Sequence, residues 1–241
     1  MSVASPLPES SAAIVQWLRR IEYLSPVNQR IFLLSPANLS GIRAGYVLGA
    51  NGRSTLASRL RQGGVQLGEL FTFISGLYFR GKLAYARAFG APSGDGSGAF
   101  VITSTAGLLR PETVVTLDQL REWGSNDIAA GDEKYRVPLV RDCRLLSSRF
   151  GGQCDVVLLG SIATPKYVEP LVSVFGERVL FPAEFVGRGD MSRGGLMLRS
   201  VESGKELEYI AVLNATRRGQ RPPKLLPLKR SAQLKEPEPS P

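Results

Sequence analysis

The chain contains no histidine among its 241 residues. Histidine is the commonest general base at neutral pH and the commonest protein ligand of metal ions. Ser-His-Asp and Cys-His catalysis are therefore excluded, and any acid–base chemistry must come from Asp, Glu, Lys, Tyr or Arg. A zinc site would need carboxylates and thiols alone, so we expect no metal site.

Cysteine and long apolar runs are also scarce. Cys143 and Cys154 fit neither a CxxC redox pair nor a zinc ligand set, and we expect two reduced, partly buried thiols. No apolar run approaches the about 18 residues that a membrane span needs, so no membrane partner is expected. The first residues lack the basic and apolar regions of a signal peptide, which predicts a cytoplasmic protein.

Two common phosphate-binding motifs are missing as well. The glycine-rich stretch at residues 94–98 precedes a predicted strand, whereas a P-loop follows a strand and ends in Gly-Lys-Ser/Thr. No GxGxxG segment opens a helix after a strand. ATPase and dinucleotide-dehydrogenase functions lose most of their support, and no cofactor is predicted.

What is present indicates an α/β fold. Four runs that are apolar throughout predict strands, at residues 30–35, 99–103, 155–160 and 178–181. Helical patterns separate them, at residues 41–48, 54–60, 68–89, 116–123, 138–150 and 165–175. Strands of this kind belong to a mainly parallel sheet covered on both faces, which is a three-layer sandwich. Residues 196–201 and 206–212 predict a C-terminal β-hairpin.

The domain prediction has three parts. Residues 1–27 form an N-terminal helix and linker that pack on the core, residues 28–215 form a single α/β domain, and residues 216–241 form a basic tail. The net charge is +9, and the tail carries seven basic and two acidic residues with many prolines, which predicts disorder. Such a tail either adds affinity for phosphates or only keeps the protein soluble.

Polar side chains follow each of the four predicted parallel strands: Asn38, Ser104, Ser161 and Glu184. Ligands bind beyond the carboxyl ends of such strands, so we expect these residues to line one pocket. The alternative for the hydroxyls is helix capping. Glu184, if buried, would have a raised carboxyl pKa suited to a general acid or base; otherwise it is an exposed loop residue.

Residues 185–195 read FVGRGDMSRGG, a stretch in which glycines alternate with charged side chains. Glycine permits close approach of a ligand, and guanidinium groups match phosphate and carboxylate. We expect Arg188, Ser192 and Arg193 to form an anion-binding loop, with an exposed arginine pair as the alternative. Asp190 is the second catalytic candidate beside Glu184: it accepts from a base edge or ribose, or merely ties the two arginines.

A third candidate feature lies on the helix predicted at residues 68–89. Tyr78, Lys82, Tyr85 and Phe89 share one helical face. Lys82 could bind a phosphate while Tyr78 stacks on a base. The same stripe is also typical of core packing, and the sequence does not decide between the two.

Two segments resemble a known group of proteins. Residues 76–87 (GLYFRGKLAYAR) and 100–109 (FVITSTAGLL) resemble a family of uncharacterised bacterial and phage α/β domains that is distantly similar to the uracil-DNA glycosylase fold. The run at residues 157–160, followed by a helix, a strand and an Arg/Gly stretch, parallels the later half of that fold. The resemblance implies a role in nucleic-acid base modification.

The chain departs from the glycosylase pattern at two loops. Residues 181–184 (FPAE) stand where such enzymes carry a histidine, and residues 35–38 (SPAN) replace the water-activating motif. The resemblance thus implies the scaffold and not base excision. We expect a protein that binds a nucleotide or a nucleic-acid phosphate at its strand ends, in nucleobase processing. The alternatives are an enzyme acting on a phosphorylated or carboxylated metabolite and a non-catalytic interaction protein.

Overall fold

A computed structural model describes residues 30–49, 52–90, 98–150 and 154–225. The predicted N-terminal helix and linker at residues 1–27, residues 94–97 of the glycine-rich stretch and residues 226–241 of the predicted tail lie outside this part. The strands are β1 (Arg30–Leu34), β2 (Val65–Gln66), β3 (Ala99–Ile102), β4 (Leu108–Leu109), β5 (Val114–Val115), β6 (Asp155–Leu159), β7 (Val179–Pro182) and β8 (Tyr209–Ala211). The helices are α1 (Ile42–Leu48), α2 (Thr55–Gln62), α3 (Leu67–Ser75), α4 (Leu77–Phe89), α5 (Leu117–Ser125), α6 (Glu133–Phe150), α7 (Pro165–Phe175) and α8 (Asp190–Ser203).

The central sheet has six strands in the order β4-β3-β1-β6-β7-β8. Its four inner strands, β3, β1, β6 and β7, are parallel, and the two outer strands are antiparallel to their neighbours. Leu33 of β1 pairs with Phe100 on one side and Leu158 on the other. The mainly parallel α/β sheet that the apolar runs predict is confirmed, and β2 and β5 form a separate two-stranded sheet.

Helices cover both faces of this sheet. The chain crosses from β1 to β3 in one direction along the sheet and from β6 to β7 in the other, and right-handed crossovers then place α4 and α7 on opposite faces. On the first face α4 packs against α8, and the Tyr85 ring of α4 meets Phe32 of β1 edge-on at 5.5 Å. On the second face α7 packs against α6. None of the described helices combines the length and the apolar character needed to cross a bilayer.

The C-terminal antiparallel pair differs in detail from the predicted hairpin. Residues 206–212 do contain a strand, β8, but β8 pairs with β7 rather than with residues 196–201, which belong to α8. Asp190 in the first turn favours the helix start, and Gly204 in the left-handed conformation ends the helix. Residues 196–201 therefore lie within a helix that packs on α4, and Leu196, Met197 and Ser200 are the buried residues among them.

Two helix boundaries also differ from the predictions. The segment predicted as one helix at residues 68–89 is interrupted at Gly76, whose φ of +60° separates α3 from α4. The helix predicted to begin near Pro138 starts at Glu133, so Pro138 lies inside α6. Thr164 does occupy the N-cap position of α7, but its side chain makes no capping hydrogen bond.

Candidate functional site

The four polar strand ends lie along one edge of the sheet. Because β3, β1, β6 and β7 are parallel neighbours in that order, the residues after them follow the same order: Ser104, Asn38, Ser161 and Glu184. The chain leaves β1 toward the α4 face and leaves β6 toward the α7 face. Diverging crossovers of this kind open a crevice beyond the carboxyl ends of the strands, where open α/β sheets bind ligands.

A cavity of about 590 Å³ occupies this edge, and we call it the rim cavity. Residues 36–40, which follow β1, form one wall, and residues 103–104, which follow β3, form another. The remaining walls come from residues 123–129 and from the first turn of α7. The rim cavity therefore includes two of the predicted pocket residues, Asn38 and Ser104.

Some polar groups of the rim cavity are hydrogen-bonded within the protein, and others are available to bind a ligand. Ser104 is buried and its hydroxyl donates to the Trp123 carbonyl at 3.0 Å, so it holds the end of α5 in place. The Asn38 Oδ1 accepts from the amide and hydroxyl of Ser40, whereas its Nδ2 has no hydrogen bond within the described residues. Lys166 lies in the first turn of α7 and forms no ion pair with the described residues.

The two arginines of the predicted anion loop are bonded to the protein itself. Arg193 donates from Nη1 to the Gly160 carbonyl at 3.0 Å and from Nη2 and Nε to the Phe185 carbonyl at 2.9 and 3.2 Å. Arg188 donates to the Glu184 carbonyl at 2.9 Å and to the Pro223 carbonyl and Ser192 Oγ, both at 3.3 Å. These bonds tie the ends of β6 and β7 and residues 220–225 together.

The anion loop is itself shorter than the glycine pattern predicts. Only residues 186–189 form a loop, because Asp190, Ser192 and Arg193 belong to the first turn of α8. The anion-binding role of these residues stays a prediction, but most of the guanidinium donors already have partners.

The two candidate catalytic carboxylates are exposed. Glu184 does not meet the condition of burial, and it lines a second cavity of about 460 Å³ between α8 and residues 205–207 instead of the rim cavity. Asp190 makes no ion pair with Arg188 or Arg193 among the described residues. The proposed tie between Asp190 and the arginines is therefore not formed, and a catalytic role for either carboxylate stays a prediction.

A buried lysine lies beneath the same edge of the sheet. Lys82 of α4 is 1% exposed, and its Nζ is 2.8 Å from both the carbonyl oxygen and the Oγ of Ser35. Ser35 directly follows β1, and the Tyr78 ring centroid is 4.0 Å from the amine. We call Ser35, Tyr78 and Lys82 the Lys82 cluster.

The helical stripe explains why this lysine is buried. Tyr78, Lys82 and Tyr85 lie one turn apart on the side of α4 that faces the sheet, and all three are buried. On an adjoining side of α4, Gly81 has no side chain, so the backbone of α8 at Gly194 comes within contact distance. The close fit of the two helices buries the amine, which bonds to the end of β1.

Burial sets the protonation behaviour of the Lys82 cluster. Desolvation lowers the pKa of Lys82 to about 7, although the charge of Asp190 raises it and that of Arg193 lowers it further. Desolvation raises the pKa of Tyr78 to about 12, against the opposing effect of Arg193. Near neutral pH a large fraction of Lys82 is therefore an uncharged amine with a free lone pair.

The predicted phosphate-binding role of Lys82 is not favoured by this geometry. Its Nζ is enclosed and bonded to Ser35, so a phosphate would have to displace both hydrogen bonds. Ser35 ends the first strand predicted from the sequence, and its pairing with Lys82 was not predicted. The available signal was a lone lysine within an aromatic stripe at helical spacing.

The two cysteines are free and buried, as their spacing predicts. Burial raises the pKa of the Cys143 thiol to about 12 and that of Cys154 to about 11, which keeps both protonated at neutral pH. Among the residues that the structure describes, no group of His, Cys, Asp and Glu could hold a metal ion.

Comparison with protein-family models, with curated proteins and with solved structures finds no match to this chain. The resemblance to the glycosylase-like domains therefore stays a prediction that depends on the quoted segments alone.

Proposed function

We propose that the protein binds a nucleotide, free or as part of a nucleic acid, in the rim cavity. The observation that carries the proposal is the position of this cavity beyond β1 and β3, beside the crevice that opens where the crossovers from β1 and β6 diverge. Its volume of about 590 Å³ lies within the range of small-molecule sites.

The phosphate would lie at the first turn of α7. The amide groups of this turn point out of the helix end, and the helix dipole favours a negative charge there. The N-cap residue Thr164 makes no side-chain bond to these amides, which leaves them for a ligand. Lys166 adds a full positive charge at the same place, without an ion pair among the described residues.

The base and sugar would lie toward the ends of β1 and β3. The free amide group of Asn38 is suited to a base edge, because an amide offers two donors. The aromatic residues Trp123 and Tyr167 also line the cavity. If a nucleobase is chemically processed here, Asp127 is the carboxylate that lines the cavity, whereas Glu184 lies at the second one.

The alternative ligand is a small phosphorylated or carboxylated metabolite. The same first turn of α7 would bind its anionic group, so the two ligand classes share Lys166. They differ in salt dependence, because a nucleic acid that contacts several phosphates releases several counterions on binding. A metabolite or a mononucleotide loses much less affinity as salt increases.

The test uses the full chain with two single substitutions. Lys166→Gln removes the charge at the rim cavity, and Lys205→Gln removes a matched charge at the second cavity. Thermal unfolding and titration calorimetry are measured with mononucleotides and with a labelled single-stranded oligonucleotide at two salt concentrations. We expect one of these ligands to raise the Tm of the wild type and of Lys205→Gln. We expect the affinity of Lys166→Gln to fall about tenfold, which corresponds to about 1.4 kcal/mol.

Two outcomes contradict the proposal. In the first, no nucleotide or oligonucleotide changes the Tm of the wild type. In the second, Lys166→Gln and Lys205→Gln bind equally well, which would place the ligand away from α7.

A further inference from the structure

We propose that Ser35 and Lys82 form a nucleophile and general-base pair that catalyses acyl transfer from small esters. The Oγ of Ser35 and the Nζ of Lys82 are 2.8 Å apart, within the range required for direct proton transfer. With no histidine in the chain, lysine is one of the few groups able to serve as the base. This activity does not depend on nucleotide binding.

The surroundings of Nζ match an uncharged amine. A neutral lysine has two N–H donors and one lone pair. One donor bonds to the Ser35 carbonyl at 2.8 Å, and the Tyr78 ring lies 4.0 Å away on another side. The lone pair can then accept the hydroxyl proton of Ser35 at 2.8 Å. The Ser35 carbonyl thus orients the base, as the third member of a catalytic triad does.

The charged groups around the amine leave it without a counterion. Lys82 has no ion pair among the described residues. The groups that influence it are Asp190 and Arg193, both from α8, and their effects oppose each other. Burial without a paired carboxylate lowers the pKa of Lys82 to about 7, which is suited to a base at neutral pH.

Ser35 lies directly before one wall of the rim cavity. It is 7% exposed and is followed in the chain by residues 36–40, which line that cavity. Tyr167, another lining residue, lies near enough to Tyr78 for their charges to interact, and Tyr78 covers Lys82. Beside the hydroxyl the chain has Gly160, where an added Cβ would be 3.1 Å from the Ser35 Cβ, 3.2 Å from the Leu158 Cδ1 and 3.3 Å from the Ser35 Oγ. A side chain at position 160 would therefore press on the nucleophile.

The reaction balances with water as the only co-reactant. The Ser35 Oγ bonds to the ester carbon while its proton passes to the Nζ of Lys82. The bond to the alcohol oxygen breaks, and that oxygen takes the proton from Nζ. Water then attacks the acyl carbon and gives a proton to Nζ, and the Ser35 Oγ leaves as it regains this proton. The products are the carboxylic acid and the alcohol.

The experiment treats the full chain with a small alkyl fluorophosphonate and maps the adduct by peptide mass spectrometry. The Ser35 Oγ–P bond forms, the P–F bond breaks, fluoride leaves and Nζ takes the proton. We expect the adduct on Ser35, at a rate that rises about tenfold from pH 6 to pH 8, because the neutral fraction of Lys82 rises about tenfold. p-Nitrophenyl acetate hydrolysis should follow the same profile.

Two variants separate the pair from general serine reactivity. Lys82→Met should lower the labelling rate about a hundredfold and remove the rise near pH 7. Ser200→Ala removes a buried hydroxyl of α8 that donates to the Lys205 carbonyl at the second cavity, and it should leave labelling unchanged.

Absence of a Ser35 adduct on the folded wild type at pH 8 overturns the proposal. So does labelling of Lys82→Met at the wild-type rate. If Lys82→Met does not fold, the labelled residue and the pH profile of the wild type test the proposal: an adduct on another residue, or a rate that does not rise from pH 6 to pH 8, overturns it. Nucleotide binding is measured separately, so its failure and the failure of this proposal are distinguishable.

Discussion

Replacing Lys82 by methionine should change how stability depends on pH. Methionine fills a similar space with an apolar side chain that does not titrate. In the wild type the unfolded chain holds the lysine proton to about pH 10.5, whereas the folded chain releases it near pH 7. The unfolded state therefore binds more protons between these values, and stability rises with pH across this window. Lys82→Met should lack this rise.

The magnitude follows from the two pKa values of Lys82. At pH 7 the unfavourable contribution of Lys82 to folding is about 4 kcal/mol, and at pH 8.5 it is about 3 kcal/mol. The wild type should thus gain about 1–2 kcal/mol between these two conditions. The substitution also leaves the carbonyl and hydroxyl of Ser35 without their partner, at a cost of about 1–3 kcal/mol. The net effect at pH 7 is a stabilisation of about 2 kcal/mol.

Urea unfolding at pH 5.5, 7 and 8.5 measures this effect. The absence of histidine makes the window favourable, because no imidazole titrates in it. Burial raises the pKa of Cys143 and Cys154, so both thiols stay protonated at pH 8.5. Parallel stability curves for the wild type and Lys82→Met would refute the reasoning, since they would show that Lys82 keeps its proton in the folded chain.

Two further substitutions test the packing and the helix starts. Gly81→Ala places a Cβ 2.7 Å from the Gly194 carbonyl oxygen, so α4 and α8 must separate, and urea unfolding should show a loss of about 1–3 kcal/mol. An unchanged midpoint would mean that the two helices are not in this contact. Thr116→Ala removes the hydroxyl oxygen that accepts from the Gln119 amide at the start of α5 and should lower the free energy of unfolding by about 1 kcal/mol. Wild-type stability of this variant would show that the capping box contributes nothing.

The parallel sheet was predictable because each of its inner strands is visible in the sequence as a short apolar run. The strands β1, β3 and β6 are covered on both faces, so each one is a short apolar run after its first residue, which is charged in β1 (Arg30) and β6 (Asp155). A run of this kind between helical patterns fits few other structures. The polar residues that follow such runs were therefore placed at the correct edge of the sheet.

The region after β7 was not predictable from local pattern. The pattern of residues 196–201 fits either a strand or a segment of helix, because a short stretch rich in apolar residues is compatible with both. Tertiary contact stabilises the helix, because the backbone of α8 packs against α4 where Gly81 meets Gly194. The glycines of residues 185–195 suggested a flexible loop, although Gly194 is needed for this close approach.

The hydrogen-bond partners of the charged side chains could not be predicted from the sequence either. Arg193 donates to two backbone carbonyls that lie 8 and 33 positions away along the chain. Every residue has a backbone carbonyl, so no sequence pattern shows which carbonyl accepts a hydrogen bond. An arginine that binds a carbonyl therefore cannot be distinguished by sequence from an arginine that binds a ligand. The same holds for Lys82, whose partners are the carbonyl and the hydroxyl of Ser35.

The two proposed activities should respond differently to pH. Charged or neutral, Lys82 can donate to the Ser35 carbonyl, so residues 36–40 keep their position in both states. Only the neutral amine can accept the hydroxyl proton of Ser35. Ligand affinity at the rim cavity should therefore stay constant from pH 6 to pH 8 for a ligand that does not itself titrate there, while the labelling rate of Ser35 rises. Calorimetry and labelling on the same sample measure both, and a joint change would show that the protonation of Lys82 moves the wall of the cavity.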